Sequence, residues 1–488
     1  MEQKSIKKNS VFNILTKVLG MLFPMITFPY ASRILLPDGL GKINFANSVI
    51  DIFVLFAGLG IGTYAVREAS KVRDDKERLS KFATEVIVIN LATMAISLAV
   101  FAVALMFSQK LQDYKALLLL ASARILLSTL GLEWLIVSQE EFKYIARRTF
   151  AFQLISLAFL FAFVRSPEDI NKYMIFTVLS AAGANVCNFF YARKFFNFTF
   201  APGFEIKKHL RPIFALSASV LAASVYTILD KTMIGIMRTD AEVGYYAAAT
   251  KIGRLFTLIL TAVVGVSLPR LSYYMENDKE KYKSLLNNAA NILQALSIPM
   301  AVGLALLARP VIILFCGKNY EPSIPCMQIL CATIFATTFN TFISDLVFVA
   351  RRKNAYVFYP VIFGACVNFV MNFILIPRYG IAGAAVASIT SEALMLAVKI
   401  FLAYKTLGGT LYFFSKIYQY AAGALVMALA VVLLMLKLDQ NVATVILEAV
   451  AGALVYALVL LAFRNEHFLG ILKLAQKKIT QLLRTCKS

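Results

Sequence analysis

Two histidines, one tryptophan and a charged fraction of only 16% are what this 488-residue sequence has least of. His209 and His467 both stand in charged stretches read as loops, so a histidine-based catalytic or metal centre within the apolar part is excluded. The six cysteines, Cys187, Cys316, Cys326, Cys331, Cys366 and Cys486, include no C-x-x-C pair. Most lie in apolar runs, where a thiol acts as a small hydrophobe, and neither a disulfide framework nor a metal site follows. Acidic residues are also scarce, 27 against 49 Lys and Arg, giving a net charge of +22. In a soluble chain that balance would suggest nucleic acid. A composition that is 60% hydrophobic, with mean hydropathy +0.73, excludes a water-soluble protein of ordinary domains. The basic excess is therefore topological, since Lys and Arg collect in cytoplasmic loops. Nucleic acid is not a partner.

At ~20 residues per crossing, the apolar residues suffice for roughly fourteen helices. Spans are predicted at 12–36, 41–66, 82–108, 114–138, 144–164, 171–196, 212–236, 241–269, 285–308, 322–349, 355–376, 380–404, 417–436 and 441–463. The run from Val11 to Leu36 follows lysines, as in a signal peptide, but has no clear small-residue cleavage site and reads as the first span. Loop charges test the count independently, because one missed helix would invert every later loop. They alternate without a break, with a threefold excess on the side of Lys4, Arg67, Arg148, Lys208, Arg270, Arg352, Lys399 and Arg464. Both termini are accordingly expected in the cytoplasm. The predicted fold is an all-α polytopic membrane protein. Outer loops are about a dozen residues or fewer, while inner loops reach the length of Asn197–Arg211. A catalytic domain outside the membrane has no room, so an enzyme acting on glycans there is disfavoured.

A repeat is faintly visible. Pro37-Asp38-Gly39-Leu40-Gly41 follows span one, and Thr239-Asp240-Ala241-Glu242-Val243-Gly244 follows span seven. Six spans separate the copies, an even number, which implies two parallel six-helix lobes. The predicted organisation is an N-lobe (1–211), a C-lobe (212–405), and two further helices with a basic cytoplasmic tail (406–488).

Ionisable groups inside spans cost free energy unless they face a cavity or a partner. Lys251 and Arg254, three apart and so on one helical face, form with Lys17 a cationic set suited to an anion such as pyrophosphate. Lys17 either joins that cavity or snorkels to the interface; Arg33, at the outer rim, either borders the cavity or anchors its helix. Asp230 either takes a proton or Na⁺ or pairs with Lys231. Asp51 and Glu392 are ion groups or packing partners, Glu85 and Glu448 read as interfacial, and Arg124 and Glu133 are no simple intrahelical pair. Pro24 and Pro29 are expected to interrupt span one, and Gly58, Gly60 and Gly62 to loosen span two.

Several stretches together resemble a known family: PDGLGKINFA (37–46), GIGTYAVREASKVR (60–73), LDKTMIG (229–235), VGYYAAATK (243–251), SLPRLS (267–272) and NFVMNFILIPRYGIAGAA (368–385). In order, across spans one to twelve, they look like Wzx-type polysaccharide repeat-unit flippases of the MOP exporter superfamily, relatives of MATE exporters and lipid II flippases. The resemblance implies a monomer in a bacterial inner membrane. It implies alternating-access movement of undecaprenyl-pyrophosphate-linked oligosaccharide to the outer leaflet, for capsule, O-antigen or exopolysaccharide. Glycosyltransferases and a polymerase would be pathway partners, with the lipid bilayer as solvent. Lys17, Lys251, Arg254 and Arg33 would line the cationic cavity. Some relatives hold Na⁺ between an Asp on span seven and polar groups on spans eleven and twelve; here Asp230, Asn368, Asn372, Ser388 and Thr390 stand at those places. Two asparagines in place of an Asn/Asp pair weaken the case for Na⁺, and no other cofactor is implied beyond Na⁺ or H⁺. The alternatives are a MATE-like cation-coupled exporter of small amphiphiles and a lipid II-type flippase.

Overall fold

A computed structural model describes residues 6–199, 205–439 and 441–469; the side chains at 6–11, 13–15, 17, 18, 21, 215–223, 225 and 226 lie outside that description. Among the described residues fourteen long helices follow one another. They are α1 (6–35), α2 (37–71), α3 (Lys76–Phe107), α4 (Lys115–Ser138), α5 (Phe142–Phe163), α6 (Ile170–Ala192) and α7 (Ile206–Met237). Then come α8 (Asp240–Asn277), α9 (Lys279–Leu306), α10 (Ser323–Val349), α11 (355–379), α12 (381–406), α13 (Ile417–Met435) and α14 (Val442–Ala462). All-helical architecture follows from the solvent: in hydrocarbon, a spanning backbone must satisfy its own N–H and C=O groups.

Local chemistry sets the helix ends. Asp75 accepts hydrogen bonds from the backbone N–H groups of Glu77 and Arg78 to start α3, and Asp278 accepts from Lys281 to start α9. Asn441 and Thr444 form a reciprocal capping box on α14. α1 stays helical through Pro24 and Pro29, which do not interrupt it as expected, and the chain turns at Leu36, whose φ is 59°. Pro37 then fits the first helical position, where its missing N–H has no partner to lose. The expected weak point of α2 does occur, at Leu59 and Gly60, both with positive φ. α11 and α12 are joined by Gly380 alone (φ 56°, ψ −134°), a conformation suited to glycine. α6 contains a π-turn at Leu179–Gly183 and α10 a longer one at Ile343–Val349.

The packing divides the chain into compact units at residues 1–247 and 248–488. In the first, the α1–α2 pair packs on α3, α4, α5 and α7. In the second, α9 packs on α10 and α13, α10 on the α11–α12 pair, and α13 on α14. The first unit extends one helix beyond the repeat boundary at 211/212, because it takes in α7 and the start of α8. Large apolar side chains point outward, among them Ile96, Val103 and Phe107 on α3 and Leu425, Leu429 and Leu433 on α13. Such a surface needs lipid around it. The chain is a multi-pass membrane protein.

α7 begins at Ile206, inside the segment expected to be a loop to Arg211. His209 is thereby helical and buried rather than a loop residue.

Candidate functional site

In the first unit the two repeat copies touch. The α2 start and the α8 start cross so closely that a Cβ on Gly41 would overlap the Asp240 carbonyl, and one on Gly244 would overlap the Pro37 carbonyl. The arrangement is reciprocal: each copy's glycine meets the first residue of the other copy's helix. Around it, the Tyr114 hydroxyl donates to the Asp240 carboxylate, Lys42 pairs with Asp38 at 2.8 Å, and Phe45 sits edge-on to Tyr114.

Asp230 is buried near the end of α7 and accepts a hydrogen bond from Tyr246 of α8. Two residues on, Thr232 donates to Ser48 of α2 at 3.0 Å. Arg33 is exposed, immediately before the Leu36 turn. Lys17 lies on α1, but its side chain is outside the described residues. In the second unit Lys251 is half-buried and Arg254 exposed, one turn apart on α8. Asn368 and Asn372 are fully buried, and the Asn372 amide donates to Asn368 Oδ1 at 3.0 Å. That bond lies within α11 and joins no second helix. Ser388 is buried and Thr390 half-buried on α12. Lys17 and Arg33, with Asp230, belong to the first unit; the other candidates belong to the second.

Sequence reasoning missed the partners of most intramembrane charges. Arg124 of α4 reaches Asp51 at 2.5 Å and Asn47 at 3.0 Å on α2. Glu133 pairs instead with buried Arg148 of α5, at 2.6 Å. Glu85, read as interfacial, is enclosed by protein: 1% exposed, it accepts from the Glu205 backbone at 2.9 Å, contacts His209 Nε2 at 2.7 Å and lies 3.6 Å from the Lys208 ammonium. His209 Nδ1 meets the Tyr64 hydroxyl at 2.6 Å, extending the chain of bonds to α2. The segment before α7 docks on α3, with the backbone N–H groups of Asn197 and Thr199 donating to Ser80 and Thr84. Lys399, counted above with the inner-loop charges, is 3% exposed inside α12 and donates to the Asn340 carbonyl.

Glu448, read the same way, is also enclosed by protein. It is fully buried in the wall of an open cleft of about 780 Å³ between α9, α13 and α14. Leu296, Met300, Met427, Val431, Ile446 and Tyr456 make that wall almost wholly apolar. The cleft's size falls within the range of small-ligand sites, roughly 300–1,000 Å³.

Comparison with known proteins bears on these features. A family model described as polysaccharide biosynthesis protein matches residues 6–275. A Shigella dysenteriae protein whose name proposes O-antigen transport is 23% identical over 399 residues, covering 80% of this chain and 98% of that one. The solved structure of lipid II flippase MurJ in an inward closed conformation superposes with TM-score 0.74 at 17% identity, covering 94% and 99%. An inward-facing MATE-family multidrug transporter of the MOP superfamily gives 0.60 at 14% identity, covering 83% and 100%. At such identities the two structures speak for the fold alone, and that fold is the expected MOP architecture.

Proposed function

Since the chain belongs to the polysaccharide biosynthesis protein family, whose model spans more than half of it, we propose that it is a flippase for lipid-linked oligosaccharide. The substrate in this reading is an undecaprenyl-pyrophosphate-linked repeat unit, carried from the cytoplasmic to the outer leaflet of a bacterial inner membrane, with both termini cytoplasmic. The observation that carries it is the cleft between α9, α13 and α14, whose apolar lining suits a hydrocarbon chain and not a free sugar. Lys251 and Arg254, with Lys17 and Arg33, would meet the pyrophosphate through charge-assisted hydrogen bonds. On the proposed topology the Gly41–Gly244 crossing is at the outer side, and outward opening requires it to part. Asp230, Asn368, Asn372, Ser388 and Thr390 remain the candidate set for Na⁺. The relatives' names describe transport, and the chain acts as a transporter rather than an enzyme.

Buried Glu448 favours a second reading, export of small amphiphilic cations, because a carboxylate in an apolar wall suits a cation. Leaflet accessibility separates the two. In cells depleted of the protein, an impermeant sugar-labelling reagent should find lipid-linked oligosaccharide only after the cells are opened, and restoring the protein should expose it. Normal exposure without the protein overturns the flippase reading and makes amphiphile export the next assay. Arg254→Ala is expected to impair exposure with normal membrane insertion; unchanged exposure removes Arg254 from the site. Ala449→Trp, which fills the cleft from an exposed wall position, is expected to abolish most of it.

A further inference from the structure

A cavity of about 460 Å³ lies in the first unit where α2 ends, at Lys71, and where α3 and α7 begin. Four cations line it, Lys71, Arg78, Lys81 and Lys208, against two carboxylates, Glu68 and Glu85. Both carboxylates are already engaged. Glu68 takes Lys71 at 2.8 Å and Arg67 at 3.0 Å. Buried Glu85 accepts from the Glu205 backbone and meets His209, with the Lys208 ammonium at 3.6 Å. From outside the lining, Asp75 reaches Arg78 at 3.1 Å and Glu205 reaches Lys208 at 3.3 Å. Lys81 has no acidic partner among the described residues. With Arg67, Asp75 and Glu205 included and His209 neutral, five cations meet four carboxylates, so the balance stays positive.

Charges of one sign gathered around a concavity raise the potential inside it. Arg78 and Lys81 stand in the first two turns of α3, and Lys208 and His209 in the first turn of α7, so the positive ends of two helix dipoles add to that field. The back of the cavity is fixed, because the Tyr64 hydroxyl, His209 and Glu85 are bonded in a row and all three are buried. Its front is adaptable: Lys71, Arg78 and Lys208 are exposed, and their ion pairs are of the weak, solvated kind. One anion with several oxygens can draw these side chains together, as the separate carboxylates do not. A phosphate group has that form, accepting from a guanidinium fork and from lysine point charges at once. The ends of spanning helices also lie at the level of lipid headgroups, where basic pockets hold anionic ones.

We propose that this cavity binds a phosphate group, held by Lys71, Arg78, Lys81 and Lys208. The group is supplied either by the phosphodiester of an anionic phospholipid or by free phosphate. The site goes beyond the flippase reading and requires no cargo.

The test uses the full chain in phosphatidylcholine nanodiscs at constant ionic strength, with either phosphatidylglycerol in the disc or inorganic phosphate in solution as the probe. Occupancy should raise the unfolding temperature in a dose-dependent way. Lys81→Gln and Arg78→Gln should each weaken the apparent affinity about tenfold, as expected for one hydrogen bond to a charged group. Lys353→Gln, an exposed charge of the second unit, changes the net charge equally and should leave the affinity as it is. Arg78 is exposed, so Arg78→Gln serves alone should Lys81→Gln fail to fold. Stabilisation by phosphatidylglycerol alone identifies a lipid headgroup, and stabilisation by inorganic phosphate in the neutral disc identifies free phosphate. No stabilisation by either probe, or a loss in the cavity variants no larger than in Lys353→Gln, overturns the site.

Discussion

Gly244→Ala is expected to be among the most damaging single-methyl changes in this chain, and Gly41→Ala its equal. Each new Cβ would overlap a backbone carbonyl, of Pro37 or of Asp240 respectively. No rotamer change moves a carbonyl, so the helix starts must separate. Overpacking of a tight contact costs typically 1–3 kcal/mol, and a clash with backbone belongs at or above the upper end. The cost falls only on the conformation in which α2 and α8 cross. On the proposed alternating cycle the variants should therefore favour the outward-open state as well as lower stability. Cysteines placed near the crossing, at Asp38 and Glu242, check this by accessibility to an impermeant maleimide in intact cells. Labelling should rise sharply in either glycine variant over the same cysteines in the parent chain. Unchanged labelling with unchanged thermal stability would mean that the crossing is not a close contact.

Glu85→Ala is the second large effect. It would strip His209, Lys208 and the Glu205 backbone N–H of one shared acceptor in a buried place. Lys208 is exposed and can turn to water, but His209 is buried, and leaving a buried donor without its acceptor costs about 1–3 kcal/mol. The start of α7 should come loose from α3, seen as a lowered unfolding temperature in detergent and faster proteolysis between 197 and 211. Glu85→Gln keeps an acceptor and should recover a large part of the loss. Equal stability of Glu85→Ala and the parent would show that α7 is held by its apolar face alone.

Much of the architecture was legible in the sequence because hydropathy and loop charge report on each helix separately. The fourteen spans, their short connections and the break near Gly60 all depend on local composition. Partnership does not. Arg124 finds Asp51 across 73 positions of sequence, and Glu85 finds His209 across 124; no local pattern reports such pairs. Lys399 was counted as a loop charge because one lysine near a span end resembles a snorkelling one, and only Asn340 and Glu392 on either side distinguish it. Glu448 was assigned to the interface for the same reason. The prolines of α1 misled differently: neighbouring helices support a spanning helix through a proline, so the turn fell at Leu36. Of the candidate site, the sequence supplied the residues on α8, α11 and α12 one at a time, while the apolar cleft arises where α9 meets the α13–α14 pair more than a hundred residues further along the chain.

The reciprocal crossing gave the faint repeat a physical basis, since the glycines that looked like ordinary turn residues are spaced to let two helix starts touch. The single-residue turns carry a different consequence, for how the chain can change in length. Leu36 and Gly380 are each the entire link between two spanning helices. One residue inserted or deleted there would rotate the next helix by about 100° and turn its packed face toward lipid. At Gly408 and Gly409, both left-handed, Gly408 has open space around it and the link can absorb extra chain. Length differences among relatives are therefore expected to gather after α12 and to be absent from the α1–α2 and α11–α12 turns.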